Sequence, residues 1–183
     1  MTSYDFDLIT IGAGSGGVRM SRTSAAMGAK VAIIENMRTG GTCVMRGCVP
    51  KKLLVYGSTF SDTFKDSKGF GWTSKPASFS WPDLIKAKDE ELARLEIVYN
   101  KLLRSSGVAQ FKGTGRILNP HLVAVDAKEY SAKYIVIATG GWPYLPNIPG
   151  IEHAITSNEA LDLETLPKSI VIVGGGFIAA EFA

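Results

Sequence analysis

Phe6-Asp7-Leu8-Ile9-Thr10-Ile11 is a short, apolar, β-branched run that stops abruptly in Gly12-Ala13-Gly14-Ser15-Gly16-Gly17, and this junction constrains the fold more than any other feature. Such a run reads as a buried parallel strand, and glycines end it. A helix is expected from there to about Met27-Gly28, then a second strand at Val31-Ala32-Ile33-Ile34 ending on Glu35. Residues 6 to 35 thus make one strand-helix-strand unit carrying G-x-G-x-x-G, with an acid 18 residues beyond Gly17. The glycine motif alone is weak, but here the context that it demands is present. Gly12 allows the tight turn, Gly14 lets a pyrophosphate approach the backbone, and Gly17 lets helix pack on strand, with phosphates at the helix N-terminus. Glu35 would take the ribose hydroxyls; its plainer reading is a solvated acid at a strand end.

Both cysteines of the chain fall in Gly40-Gly41-Thr42-Cys43-Val44-Met45-Arg46-Gly47-Cys48-Val49-Pro50-Lys51-Lys52. Residues five apart on an ideal helix have Cα atoms about 8.7 Å apart, beyond the roughly 6.8 Å that a disulfide tolerates. If the two bond, the segment cannot be regular helix. Gly47 permits a bend and Pro50 suits a first helical turn, which places Cys48 at a helix N-terminus. That position favours thiolate, as do the nearby Arg46, Lys51 and Lys52. A working redox pair is the favoured reading. A structural disulfide or half of a zinc site is the alternative, but the loop is short and no second Cys or Cys/His pair lies nearby, so no metal site is expected.

The chain from Thr59 to Ser80 is mixed, with a surface loop and turn at Lys68-Gly69-Phe70-Gly71-Trp72. A long helix should start near Ser80-Trp81-Pro82-Asp83 and end by Gly107, with Ile85, Leu92, Leu95, Tyr99 and Leu102 as its buried stripe. Short strands near Val108-Phe111 and Leu122-Val125 flank a turn at Asn119-Pro120, and Tyr134-Ile135-Val136-Ile137-Ala138 reads as another buried strand. Thr139-Gly140-Gly141 then offers amides and a hydroxyl to a ligand, before an extended connector through Pro149-Gly150, where a domain boundary is placed. Ser169-Ile170-Val171-Ile172-Val173 followed by Gly174-Gly175-Gly176-Phe177-Ile178-Ala179 repeats the opening theme of strand then G-x-G-x-x-A. Two nucleotide fingerprints around a dithiol imply two dinucleotides, with electrons passing between them and on to a disulfide.

A hydrophobic fraction of 45% over 183 residues supports one real core rather than two complete domains. The net charge of +3 is spread along the chain, so neither nucleic acid nor a membrane surface is expected as partner. No apolar run approaches the roughly 20 residues of a membrane span, and the first residues lack the basic start of a signal peptide. A cytoplasmic protein is the default expectation, in which a lone cysteine pair is more often catalytic than structural.

From Asp7 to Ala183 the sequence resembles the pyridine nucleotide-disulfide oxidoreductases, and within them the glutathione reductases. G-G-T-C-V-x-x-G-C-V-P-K-K at residues 40 to 52 is highly specific for that family. Met45-Arg46 and Gly-Val-Arg-Met-Ser-Arg at 17 to 22 resemble its plant and bacterial members. The resemblance implies an α/β fold: a Rossmann-like FAD-binding domain over 1–150, with a helical excursion and a small antiparallel β-meander, and over 151–183 a linker and the truncated start of a second Rossmann-like, NADPH-binding domain.

The resemblance assigns the flavin to Gly12, Gly14, Ser15, Gly16, Gly17, Glu35, Thr42, Gly115, Thr139 and Gly140. It assigns NADPH to Gly174, Gly175, Gly176 and Ile178, with Phe177 in place of a gating tyrosine. Cys43 would be the thiol that attacks glutathione disulfide and Cys48 the buried thiol against the flavin, with Lys51 and Glu181 paired beside the flavin N5. Ser15, Arg22 and Tyr99 would contact glutathione disulfide. Tyr99 also reads as core packing, and Arg19, on the same helix face as Arg22, as a solvated cation. The implied enzyme is a homodimer that reduces glutathione disulfide with NADPH. Its catalytic acid is a histidine beyond residue 183 from the other subunit, so His121 and His153 are ordinary surface histidines and these residues alone would be inactive. Arg22 argues against trypanothione reductases, and Arg22 with Lys51-Lys52 against dihydrolipoamide dehydrogenase and mercuric reductase. A non-catalytic flavin-binding fragment is the reading from another class.

Overall fold

The computed structural model describes residues 3–73 and 77–183. Strand β1 (Phe6–Ile11), helix α1 (Ser15–Ala26) and strand β2 (Val31–Glu35) form the opening unit. The strands are parallel, with Leu8 opposite Val31 and Ile11 opposite Ile34. The turn between β1 and α1 is closed by contact: a Cβ at Gly17 would land on the Gly12 carbonyl oxygen. Gly17→Ala is therefore expected to cost about 2–3 kcal/mol through backbone displacement. A urea midpoint equal to that of the parent chain would contradict this.

Helix α2 (Gly41–Arg46) and helix α3 (Cys48–Asp66) meet at Gly47, whose φ of −152° and ψ of −111° break the helical path. This is the bend expected between the cysteines, and Pro50 sits in the first turn of α3. Helix α3 runs on to Asp66, past the point where the sequence read as mixed, and a 3-10 turn follows over Ser67–Phe70. Its hydrophobic side chains there, Phe60 and Phe64, stay exposed, so little tertiary burial marks the helix in the pattern. Residues 74–76 of the stretch that read as mixed lie outside the described residues.

Helix α4 (Trp81–Ser105) starts where Ser80 accepts a hydrogen bond from the Asp83 N–H at 3.4 Å, and Gly107 takes φ +76° just beyond its end. Leu92 is buried as expected, but the line continues through Lys88 and Leu103, while Ile85 and Leu102 are only half-buried.

Strands β3 (Ala109–Lys112), β4 (Gly115–Asn119), β5 (Leu122–Val125) and β6 (Lys128–Ile137) complete one six-stranded sheet in the order β3-β2-β1-β6-β5-β4. Its parallel part is β3, β2, β1 and the second half of β6; the first half of β6 turns back through β5 and β4 as an antiparallel meander. Strand β4 was not anticipated individually, because four of its five residues are exposed and carry no alternation of burial. Leu8, Val31 and Ile33 pack against α1 and α4 on one face; Ile9, Ile11 and Ile34 pack against Val123 and Val125 of the meander on the other. Burial on both faces explains the continuous apolar runs. The expectation that β6 is buried throughout fails: Tyr134 and Ile137 are 61% and 68% exposed.

The last segment is thinner. Helix α5 (Ser157–Ala160) is capped by a reciprocal Thr156–Glu159 box, and helix α6 (Phe177–Phe182) follows the second glycine turn. The strand expected at 169–173 does not form, and Val171 and Val173 are about nine-tenths exposed. A parallel strand is defined by its neighbours' backbone, and none of the six described strands lies beside it.

Candidate functional site

The carboxyl ends of β1, β2 and β6 converge: Gly12 N–H donates to the Ile34 carbonyl and Ala138 N–H to the Ile11 carbonyl, both at 2.8 Å. Beyond them opens a cavity of about 430 Å³. Gly12, Gly14, Glu35, Thr42, Gly115, Thr139 and Gly140 all line it, so seven of the sequence's candidates come together there. The glycine turn and the start of α2 are in close approach: Gly41 has φ +66°, and a Cβ on it would stand 2.5 Å from the Gly14 Cα. That contact brings Thr42, and Cys43 after it, to the edge of the nucleotide turn.

Glu35 is the best-anchored group of the cavity. One carboxylate oxygen accepts the Ala13 N–H and the other the Met37 N–H, each at 2.7 Å. It is therefore not a solvated strand-end acid; it ties β2 to the first turn and presents its remaining lone pairs to the cavity. These residues fit the adenosine end and the diphosphate of a dinucleotide: a fixed carboxylate for hydroxyls, amides at a helix start, and no Cβ in the way.

Cys43 and Cys48 are free thiols, Cys43 half-buried and Cys48 exposed. This reverses the burial expected for Cys48. Its side chain leaves the first residue of α3, just past the Gly47 bend, where none of the described elements covers it. Burial pushes the Cys43 thiol above its ordinary value, and the neighbouring Cys48 side chain pushes the same way by hydrogen bonding and charge repulsion. The Cys48 backbone N–H donates to the Cys43 sulfur and works in the opposite direction. The first amide of α3 thus serves Cys43, not the sulfur of its own residue. Val44 and Met45, buried against Leu92, hold the dithiol helix on α4.

Lys51, one turn along α3 from Cys48, makes an ion pair with Glu181 of α6 at 2.7 Å, the pairing expected of these two residues. Arg22 and Tyr99 meet with Ser15 and Arg19 in a separate cleft of about 670 Å³. The Arg22 Nε is buried without a hydrogen-bond partner, and the Arg19 and Arg22 side chains give this cleft two cations suited to an acidic ligand. Ser15 belongs to this cleft and not to the cavity; Gly16 is exposed with open space around it, and Gly17 lies buried beneath the turn. Gly174, Gly175, Gly176 and Ile178 line neither concavity and are exposed. His121 faces the Ala132 carbonyl at 3.0 Å and His153 is exposed, both away from the cysteines' surroundings.

Sequence reasoning missed part of the cavity wall. Arg46 stacks its guanidinium over the Trp142 ring at 4.6 Å, and both line the cavity, as does Asn36, whose amide donates to Thr114 at 3.3 Å. Trp142 read only as connector; an aromatic immediately after Thr139-Gly140-Gly141 was the available signal.

Comparison with known proteins agrees with this layout. The chain is 54% identical to a glutathione reductase of Burkholderia cepacia over all its 183 residues, which cover 41% of that protein. It is 52% identical to the chloroplastic/mitochondrial glutathione reductase of Pisum sativum over 98% of its length, covering 35% of the relative. A trypanothione reductase of Trypanosoma congolense is 39% identical over 99% of the chain and 41% of its own length. The chain therefore spans about two-fifths of the relatives that it matches. The profile of the pyridine nucleotide-disulphide oxidoreductases matches residues 6–183, from the first strand through the dithiol to the second glycine turn. A nucleotide cavity walled by the helix that carries Cys43, and sequence agreement from residues 6 to 183, place this chain in the pyridine nucleotide-disulphide oxidoreductase family.

Proposed function

We propose that this chain is the flavin-binding, dithiol-bearing part of an enzyme that reduces glutathione disulfide with NADPH. The observation that carries the reading is the placement of Cys43 and Cys48 on either side of the Gly47 bend, near enough for the Cys48 side chain to raise the Cys43 thiol, with Cys43 next in sequence to Thr42 of the cavity wall. FAD would be held by Gly12, Gly14, Glu35, Thr42, Gly115, Thr139 and Gly140, and NADPH by the Gly174–Gly176 turn with Ile178. Residues 1–150 would be the flavin unit and 151–183 the linker and start of the second.

When bound, the flavin supplies hydride acceptance from NADPH and a two-electron reduction of the Cys43–Cys48 disulfide. The chain's own residues do the rest. Cys43 thiolate attacks one sulfur of glutathione disulfide, forming a mixed disulfide and releasing one glutathione thiolate, which takes up a proton. Cys48 thiolate then attacks the Cys43 sulfur, releasing the second glutathione thiolate and closing the Cys43–Cys48 disulfide. Lys51, paired with Glu181, would keep its ammonium beside the flavin and favour the negative charge that the reduced ring gathers. Arg22 and Tyr99 would orient the substrate, with the guanidinium taking a carboxylate.

Glutathione disulfide would be preferred to less anionic disulfides because Arg19 and Arg22 together line this cleft with positive charge. Arg22→Leu in the complete enzyme is expected to raise KM for glutathione disulfide by roughly 10- to 100-fold while leaving flavin reduction by NADPH unchanged. No helix among the described residues is long and apolar enough to cross a membrane; the enzyme is proposed to work in the cytoplasm as a homodimer. The test of the whole reading is NADPH consumption by the complete enzyme with glutathione disulfide, trypanothione disulfide, lipoamide or mercuric ion. Fastest turnover with glutathione disulfide supports it, and faster turnover with any of the others overturns the substrate assignment.

A further inference from the structure

Lys88 is a charged side chain with no exposed surface, and none of the chemistry above uses it. It leaves the buried stripe of α4 and reaches a segment more than 70 residues away, donating to the Leu161 carbonyl at 2.9 Å and to the Asp162 carboxylate, with Asp89 at 3.0 Å. At the first residue of the same helix, Trp81 donates its indole N–H to the Leu163 carbonyl at 2.8 Å. Leu161 between these anchors is 2% exposed, and the Thr156–Glu159 capping box fixes the short helix just before it. Three consecutive residues, Leu161 to Leu163, are therefore pinned along α4. Asp162 also lines the nucleotide cavity.

We propose that Lys88 is a positioning residue: its buried ammonium locks the Leu161–Leu163 crossover onto α4 and so determines where the second glycine turn and Glu181 stand relative to Lys51 and the dithiol. The physical case is one of scarcity. After Leu163 no described residue before α6 is buried, and among the described residues the Lys51–Glu181 ion pair is the one polar side-chain contact between α6 and the rest of the chain. A buried charge is also an exacting anchor, because a displaced ammonium loses all its partners at once in a medium that cannot replace them. An apolar side chain at this position would tolerate sliding. The geometric part stands without any enzymatic assignment. Its functional consequence rests on the proposed NADPH–flavin reading, since hydride transfer falls steeply with misplacement of the donor.

Carbodiimide coupling reads the geometry directly in this chain, because it joins an amine to a carboxylate only when they are already in contact. A Lys51–Glu181 amide, identified by peptide mass spectrometry, is expected in the parent chain. Lys88→Met is expected to reduce its yield at least about fivefold, with unchanged circular dichroism, and Lys88→Arg to retain it. Asp162→Asn, a milder change, should lower it in the same direction. An unchanged yield in both Lys88→Met and Asp162→Asn would overturn the proposal, as would an equal loss in Lys88→Arg. In the complete enzyme, Lys88→Met should slow flavin reduction by NADPH on the order of a hundredfold with FAD content and oxidation by glutathione disulfide unaltered. If the cross-link falls while flavin reduction keeps its parent rate, the positioning of hydride transfer is refuted. If the unsubstituted enzyme shows no flavin reduction at all, the failure lies with the functional reading and not with Lys88.

Discussion

Cys43→Ser in the complete enzyme is expected to abolish reduction of glutathione disulfide, by on the order of 10⁴-fold or more, while hydride uptake from NADPH persists. The serine hydroxyl is close in size to the thiol, so α2 keeps its packing through Val44 and Met45, but it cannot exchange with a disulfide. Cys48→Ser should differ in kind. Cys43 can still form the mixed disulfide, so one equivalent of glutathione remains attached and the cycle halts there. Exposure alone does not choose the attacking sulfur, since Cys48 is the more exposed of the two; trapping of glutathione on Cys43 in the Cys48 variant does. The raised Cys43 thiol has a further signature. Its thiolate fraction grows only as pH climbs past the usual thiol range, because burial and the Cys48 side chain oppose ionisation. Alkylation of Cys43 in the reduced chain should therefore still be accelerating with pH where an unhindered thiol has levelled off. A plateau at the ordinary thiol value would contradict that environment.

Glu35→Leu is expected to weaken FAD binding by roughly 100- to 1000-fold, because two losses combine. The Ala13 and Met37 amides each lose an acceptor now held at 2.7 Å, which loosens the turn that faces the diphosphate. The ribose hydroxyls would lose the carboxylate proposed to bind them as well. Glu35→Gln keeps the shape and only one good acceptor oxygen, so its loss should be intermediate. Flavin fluorescence titration measures both, and riboflavin provides the control: lacking the adenosine half, it should bind parent and variant alike. Equal losses for FAD and riboflavin would mean that Glu35 acts through general destabilisation of the fold.

What was legible in the sequence was local. The β1-turn-α1-β2 unit is specified by a strand pattern, glycines that only one geometry accepts, and an acid at the right separation, all within 30 residues. The Gly47 bend followed from the incompatibility of a five-residue spacing with both helix and disulfide. Features set by distant parts of the chain were not legible. Lys88 sits where an apolar residue belongs on a helix stripe, and only Leu161 and Asp162, far along the sequence, make its burial tolerable. Residues 169–173 have a strand's composition, but a strand forms only against a partner edge, and none of the six described strands lies beside them. The exposure of Cys48 is likewise a tertiary property: the same helix start would be covered or open depending on what packs beside it. Trp142 entered the cavity wall because Arg46 turns toward it across nearly 100 residues of chain, a pairing with no local trace.

Cys43 and Cys48 are expected to exchange between dithiol and disulfide as one unit; equilibrating the reduced chain with glutathione disulfide, quenching in acid and counting alkylatable thiols by mass spectrometry measures this. An internal Cys43–Cys48 bridge should form with loss of two hydrogens, with no stable glutathione adduct. A chain that ends with glutathione on both cysteines, or with both thiols still free after prolonged exposure, would contradict it.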